Sequence, residues 1–135
     1  MKKPLHQLSI AECAREIASG AVSPVELTEA CLGVIETHNG DVNAFLEVTV
    51  DLARAQARAA EEEIHRIGSR SPMHGVPFAL KDIYDTRGIA TTGHSALYQQ
   101  RIPAADAACT EDLYGAGAVL LGKLATHEFA TGGPA

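Results

Sequence analysis

Gly75-Val76-Pro77-Phe78-Ala79-Leu80-Lys81-Asp82 is the stretch of sequence that decides the fold. Val76 to Leu80 forms a short apolar run bounded by turn residues, and such a run predicts a buried strand. Because proline cannot donate a hydrogen bond to a sheet, Pro77 indicates the start of that strand or an edge position. A second apolar run, Ala118 to Leu121, predicts another buried strand that ends at Gly122-Lys123. The second half of the chain is thus expected to supply two buried strands.

Helical patterns dominate the first half of the chain. Three helices are predicted, over Ser9–Gly20, Ser23–Gly40 and Asp51–Gly68. The first two begin with capping-box spacing, in which a serine precedes a glutamate by three residues, and the second also has proline at its first helical position. The second helix should end at Asn39-Gly40, and its apolar stripe consists of Leu27, Cys31, Val34 and Ile35. We expect these helices to pack against the strands.

Two further elements complete the predicted architecture. Phe45–Val50 is prone to form a strand, and Asp106 is placed to cap a fourth helix that ends near Gly115 or Gly117. The third helix should direct one apolar face inward, made of Leu52, Ala55, Ala59, Ile64 and Ile67. Helices that alternate with short buried strands indicate an α/β fold.

Composition restricts the class of protein. The 135 residues are 46% hydrophobic and 21% charged, which is typical of one globular domain or less. The formal charge of -6 opposes contact with phosphate backbones, so this chain alone is not expected to bind nucleic acid. No apolar run approaches the length of a membrane helix, and no secretory signal is evident. Three widely spaced cysteines suggest no disulfide framework, which predicts a cytoplasmic location.

One pattern resembles a known binding motif and is rejected. Gly117, Gly122 and Lys123 have the spacing of a phosphate-binding loop, but Leu124 stands where a serine or threonine should hold magnesium. The residues between the two glycines are also strand-forming, whereas a phosphate cradle needs an open loop. The six histidines show no zinc-binding spacing, so no metal site is expected.

Lys81 is the one residue whose position suggests chemistry. A lysine at the end of an apolar strand is energetically costly unless its ammonium reaches water or a partner. Burial lowers the pKa of a lysine from its usual value of about 10.4, and so can make a base available near neutrality. The residues alone leave a second interpretation open, in which Lys81 forms an ion pair with Asp82 or Asp85.

The combination of motifs resembles the amidase signature family. The resemblance begins at residues 75–82, continues through Gly88 and Thr91-Thr92-Gly93, and resumes at Asp106. It then includes residues 115–123 and Glu128-Phe129-Ala130, so it covers nearly the whole chain. It implies the N-terminal part of the amidase-signature fold, with a mixed sheet core covered by helices and incomplete in this chain. Residues 1–70 would be mainly helical, and residues 71–135 would carry the strands, loops and lysine motif of a single amidase domain.

The resemblance also implies a reaction and a role for Lys81. Members of this family hydrolyse carboxylic amides with a serine–serine–lysine triad, and the position of the triad lysine corresponds to Lys81. Neither a metal nor an organic cofactor is implied. The expected partner of the full-length protein is a small-molecule amide substrate, and the oligomeric state stays open.

The sequence departs from the family pattern near residue 132. The Gly-Gly-Ser-Ser-Gly-type segment is expected beyond Glu128-Phe129-Ala130, whereas the last residues, Gly132-Gly133-Pro134-Ala135, resemble the stretch just before that segment. Ser95, Thr91 and Thr92 match loop positions of the family and are not taken as nucleophiles. We therefore expect an N-terminal piece of an amidase that is inactive alone. The alternative is a small non-enzymatic binding or regulatory module of amidase ancestry.

Overall fold

The protein is described by a computed structural model over residues 3–132. Four α-helices and three strands form in the order α1, α2, β1, α3, β2, α4, β3. The helices are α1 Ile10–Ala18, α2 Pro24–Val42, α3 Val50–Ile67 and α4 Ala108–Gly115. The strands are β1 Phe45–Val48, β2 Pro77–Lys81 and β3 Val119–Leu124. Single turns of 3₁₀-helix cover Leu5–Gln7, Ala96–Tyr98 and Glu128–Ala130.

The three strands form a mixed sheet in the order β1-β3-β2. β3 lies in the centre, antiparallel to β1 and parallel to β2. Pro77 is the first residue of β2, and β2 is an edge strand among the described residues, so the missing N–H group of the proline disrupts no ladder. The predicted α/β fold with a mixed sheet is confirmed.

The central strand contains an irregularity that a side chain of α3 helps to satisfy. The pairing register shifts on both sides of β3, between Phe45 and Glu47 on one neighbour and between Phe78 and Leu80 on the other. At this bulge, the backbone N–H of Leu120 donates a hydrogen bond of 2.8 Å to the side chain of Gln56. The α3 helix therefore satisfies a backbone group within the sheet as well as covering it.

The first two helices begin as their sequences predict. In α1, Ser9 and Glu12 form a reciprocal capping box, and Ser23 and Glu26 form the same arrangement in α2. The predicted end of α2 at Asn39-Gly40 is wrong, because the helix continues to Val42. It ends at Asn43, which adopts the left-handed conformation with φ 50°.

The predicted inward face of α3 is largely wrong. Leu52, Ala55, Ala59 and Ile67 are exposed, and only Ile64 of the predicted set is partly buried. The buried positions are instead Ala53, Ala57 and Ala60. Their small side chains let α3 approach α2 and β3 closely, so packing distance outweighs the preference for burying the larger leucine and isoleucine side chains.

Two hydrophobic clusters connect the helices to the sheet. The first joins α1 and the start of α2 to the residue before β2, through Cys13, Ile17, Val22, Leu27 and Val76. The second joins α2 and α3 to the central strand, through Leu32, Ala53, Ala57, Val119 and Leu121. Helices thus cover the sheet as expected. No helix in residues 3–132 combines the length and the apolar character needed to cross a membrane.

Asp106 does not cap the fourth helix. The N-cap of α4 is Ala107, which makes no side-chain capping bond. Asp106 accepts a hydrogen bond of 2.7 Å from the backbone N–H of Arg87. Its carboxylate therefore holds two loops together, a long-range role that the local sequence does not reveal.

Candidate functional site

Two lysines lie where the parallel strands β2 and β3 end. Lys81 is the last residue of β2, and Lys123 is the next-to-last residue of β3. Leu80 pairs with Lys123, and Lys81 pairs with Leu124. The carboxyl ends of parallel strands are a common place for ligand-binding groups in α/β proteins, so both lysines are candidates for a site.

Lys81 is exposed, whereas its neighbours Leu80 and Asp82 are buried. Within residues 3–132 the ammonium group of Lys81 forms no salt bridge. The ion pairs left open by the sequence are not formed, because Asp82 pairs with Lys123 and Asp85 pairs with Arg101. The ammonium of Lys81 reaches water, which removes the energetic cost of placing a lysine at this strand end.

Lys123 is fully buried and its ammonium is held by three oxygen atoms. Its Nζ donates to the hydroxyl of Thr91 at 2.6 Å and to the backbone carbonyl of Tyr84 at 2.9 Å. The third oxygen belongs to the carboxylate of Asp82, at 3.3 Å. Burial lowers the pKa of Lys123, and the charge of Asp82 acts against that shift. Two of the three ammonium donors are used in these hydrogen bonds, and Asp82 supplies a buried opposite charge, so Lys123 is held inside the fold by its own partners.

In the sequence, Lys123 stands out as part of a rejected phosphate-binding pattern and of the family resemblance over residues 115–123. Residues 119–124 form a strand, which excludes a phosphate-binding loop. The signal that would have found Lys123 is the one that singled out Lys81. Each lysine closes an apolar strand, and each therefore needs either water or a partner for its ammonium. The side chain of Lys81 is exposed to water, whereas the ammonium of Lys123 is bound by polar groups of the protein.

Asp82 joins the end of β2 to the loop that follows it. Its second carboxylate oxygen accepts hydrogen bonds from the hydroxyl of Thr92 at 2.5 Å and from the backbone N–H of Thr92 at 3.1 Å. Its backbone carbonyl accepts from the N–H of Gly93 at 2.8 Å. Gly93 has φ +60°, and a Cβ there would lie 2.9 Å from the ring of Phe129, so a glycine is needed for this approach.

A cavity of about 360 Å³ opens beside this group of residues. Asp85 and Arg101 form a bidentate ion pair in its wall, at 2.6 and 2.7 Å, and the guanidinium lowers the pKa of the Asp85 carboxyl. Tyr98 and Phe129 meet edge to face in the same wall. The cavity is lined by Ile83, Asp85, Thr91, Thr92, Gly93, Tyr98, Arg101 and Phe129. Lys81 does not belong to the lining.

The hydroxyl groups near the site are engaged in hydrogen bonds. Ser95 is buried, and its hydroxyl donates to Glu128 at 2.6 Å and accepts from the N–H of Leu97 at 3.3 Å. Thr91 and Thr92 bind Lys123 and Asp82, respectively. These contacts hold the loop in place. Among residues 3–132, no group of three or more His, Cys, Asp and Glu side chains is arranged to hold a metal ion.

The chain is similar in sequence to glutamyl-tRNA(Gln) amidotransferase subunits from several bacteria. One is a glutamyl-tRNA(Gln) amidotransferase subunit from Anaeromyxobacter sp. (strain K), 44% identical over 130 residues. That alignment covers 96% of this chain and 26% of the relative. Another relative of the same description, from Streptomyces coelicolor, is 46% identical over 126 residues, which is 93% of this chain and 25% of that protein. The chain therefore spans about a quarter of the length of these relatives.

Solved structures show the same relationship. A peptide amidase from Stenotrophomonas maltophilia superposes with a TM-score of 0.86 and 29% identity, over 93% of this chain and 26% of that one. An amidase family protein from Bacillus anthracis superposes with a TM-score of 0.82 and 26% identity, over 92% of this chain and 25% of that one. The family model described as Amidase matches residues 26–135. The motifs around Lys81, the fold and these similarities agree, and the chain belongs to the amidase signature family.

Proposed function

We propose that this chain supplies the lysine base of an enzyme that hydrolyses carboxylic amides through a serine–serine–lysine triad. The observation that carries the proposal is the contrast between the two lysines at the carboxyl end of the sheet. Lys123 is buried and bound by three oxygen atoms, whereas Lys81 is exposed and without an ion-pair partner in residues 3–132. Lys81 is therefore the lysine available to a reacting group.

In the proposed reaction, the neutral amine of Lys81 accepts a proton through a bridging serine. The second serine passes its proton to the bridging serine, whose own proton goes to Lys81, and attacks the carbonyl carbon of the amide to form a tetrahedral intermediate. The carbon–nitrogen bond then breaks, the departing nitrogen takes up the proton that Lys81 returns through the bridging serine, and an acyl-enzyme remains. Water releases the carboxylic acid and restores the serine. These reaction steps require no metal or organic cofactor.

The substrate in the complete enzyme is proposed to be a small-molecule amide. The amidotransferase name of the two relatives includes a transfer RNA, but this chain has a net charge of -6, which disfavours contact with nucleic acid by these residues alone. We also propose a cytoplasmic location, since Cys13, Cys31 and Cys109 are all free thiols.

The 135-residue polypeptide is proposed to be inactive by itself. It contains the lysine motif but no Gly-Gly-Ser-Ser-Gly-type segment, and its loop hydroxyls already serve Lys123, Asp82 and Glu128. Without a nucleophilic serine, no acyl-enzyme can form. The purified polypeptide should release no ammonia from a panel of simple amides. Amide hydrolysis that disappears in a Lys81→Ala variant of this polypeptide would overturn that part of the proposal.

The role of Lys81 is tested in the complete protein that contains these residues. Lys81→Ala should reduce kcat by about 10²–10⁴-fold, the range typical of a general base. Lys81→Arg should not restore activity, because a guanidinium stays charged and cannot accept a proton. The matched control is Arg58→Ala, which removes an exposed positive charge from α3 and should leave kcat unchanged. A substantially active Lys81→Arg variant would show that Lys81 is only a structural charge.

A further inference from the structure

We propose that Lys123 is a positioning residue for Lys81. Its buried ammonium fixes the turn that follows β2, and that turn determines where the Lys81 side chain stands. The inference rests on the proposed role of Lys81 as the base. It assigns a second lysine, one that never touches the substrate, to the same catalytic unit.

The backbone of Lys81 belongs to the turn itself. Its carbonyl oxygen accepts hydrogen bonds from the N–H groups of Ile83 at 2.7 Å and Tyr84 at 3.1 Å. The N–H of Asp82 donates to the carbonyl of Leu124 at 2.9 Å, which extends the pairing of β2 with β3 by one residue. Any rotation of the turn therefore moves the Cα of Lys81, and with it the direction of the side chain.

Lys123 holds this turn at two points. Its ammonium contacts the carboxylate of Asp82 at 3.3 Å and the backbone carbonyl of Tyr84 at 2.9 Å. Its third partner, the hydroxyl of Thr91, lies on the loop that Asp82 also binds through Thr92. All three partners come from the segment that directly follows Lys81, and none comes from a helix. The contacts of Lys123 thus converge on the turn and its loop.

The same contacts direct Lys81 outward. Asp82 is 1% exposed and is drawn inward by Lys123, whereas Lys81 is exposed. Successive side chains of an extended strand point to opposite faces. Holding Asp82 on the inner face therefore holds Lys81 on the outer one. If Asp82 were released, the alternation at this strand end would no longer be enforced.

The buried Lys123–Asp82 ion pair is not needed for stability alone, because apolar residues of similar size can often fill such a space without loss of stability. Charged hydrogen bonds differ from apolar packing in being directional, so they specify one orientation of the turn. A methionine at position 123 would match much of the length of the lysine stem but could not bind Asp82, Tyr84 or Thr91. The functional loss caused by Lys123→Met therefore measures orientation as well as packing.

The test compares Lys123→Met with Arg54→Met in the complete protein. Arg54→Met breaks the exposed Arg54–Glu29 ion pair and is the matched control for losing a salt bridge. We expect Lys123→Met to lower kcat at least 100-fold per titrated active site, to change KM by less than about threefold, and to move the acidic limb of the kcat/KM pH profile. The control should leave all three quantities unchanged. Equal kcat per active site, or a lower kcat with an unmoved acidic limb, would overturn the proposal.

Hydrogen exchange of the complete protein supplies a readout that does not depend on activity. In Lys123→Met, the amides of Asp82, Tyr84 and Gly93 should exchange at least tenfold faster, while those of α2 should not change. Unchanged exchange at these three amides would show that Lys123 does not hold the turn. If Lys123→Met fails to fold, Asp82→Asn is the second variant, because it keeps the shape but removes the charge, and the same changes are expected.

The two proposals fail in different ways. A complete wild-type protein that hydrolyses no amide would refute the proposed function, whatever the exchange rates. A wild-type enzyme that is active and a Lys123→Met enzyme that is equally active would refute only the positioning role.

Discussion

Gly122 and Glu47 lie so close across the β1–β3 pair that a side chain at position 122 would collide with the backbone carbonyl oxygen of Glu47. Gly122 has φ +154°, at the shifted register between the two strands. A Cβ there would also lie 3.0 Å from the ring of Phe45. The central strand can therefore approach β1 only through a glycine.

Gly122→Ala should destabilise the protein by about 3 kcal/mol, because neither the backbone of Glu47 nor the conformation at position 122 can adjust cheaply. Gly33→Ala is the matched control, since Gly33 is exposed within α2 and has no neighbour within 4 Å of its Cβ position. That substitution should stabilise the protein by about 0.5–1 kcal/mol through helix propensity. The midpoints of urea unfolding measure both changes in stability. Similar midpoints for the two variants would contradict the described approach of the strands.

Stability should fall in acid through Glu12, the capping residue of α1. The hydrogen bond from Lys3 and those from Ser9 lower the pKa of Glu12 from 4.5 to about 2. A carboxyl whose pKa is lower in the folded state stabilises the fold above the unfolded pKa, and loses that effect as pH falls from about 4.5 to about 2. Glu12→Gln should reduce this acid dependence while keeping the capping hydrogen bond. The helical circular dichroism signal, recorded as a function of pH, measures this acid dependence. An unchanged acid transition in Glu12→Gln would refute the role given to Glu12.

His74 should cause a separate loss of stability, at higher pH. Burial, with the nearby charge of Arg70, lowers the pKa of His74 below 6.5, although Glu63 acts in the opposite direction. The native imidazole stays neutral at pH values where the unfolded chain takes up a proton. Stability is therefore complete above about pH 6.5 and declines as pH falls below it.

His74→Asn tests this assignment, because its side-chain oxygen can replace the ring nitrogen that accepts from the N–H of Arg70 at 3.2 Å. The variant should flatten the dependence of the unfolding free energy on pH just below 6.5. His38→Asn alters an exposed histidine and should leave the slope as it is. Identical slopes in wild type and His74→Asn would contradict the prediction.

The 135-residue polypeptide should self-associate and bind a hydrophobic dye. Leu97 is 84% exposed, and Tyr98 and Phe129, which line the cavity, are each 46% exposed. Such neighbouring apolar side chains favour association. Leu97→Ser should reduce both dye binding and the sedimentation coefficient. Val42→Ser, which removes a 66% exposed apolar residue on α2, should have less effect. A compact wild-type monomer with a sharp cooperative melt would instead favour an independently folding module.

The sequence predicts the elements of this fold well where the signal is local. The capping boxes at Ser9 and Ser23 are confirmed because all their partners lie within three residues. The inward face of α3 could not be predicted in the same way. Leu52 is the larger apolar residue, but Ala53 is buried because α2 and β3 approach closely there, and that distance is a property of the assembled fold.

The candidate site shows the same division. The strand end at Lys81 follows from an apolar run and its resemblance to a family motif, and its catalytic role stays a prediction. The partners of Lys123 could not be read from the sequence, since Tyr84 and Thr91 lie 39 and 32 residues away. The local sequence predicts Asp106 as a helix cap for a similar reason, although its partner is the N–H of Arg87. Polar contacts between residues that are far apart in the chain produce no periodic pattern in the amino-acid sequence.

The order of the sheet also affects how the protein folds during synthesis. β1 and β2 both pair with β3, which is the last of the three to leave the ribosome. Among residues 3–132, the strand partners of Val48 and Pro77 all lie in residues 119–124 and emerge last. Helices α1 to α3 can form earlier from local contacts, whereas the sheet must wait for distant pairing. During that interval the nascent chain exposes unpaired strand edges, so a pause in translation before residue 119 would extend the period in which chaperones are needed.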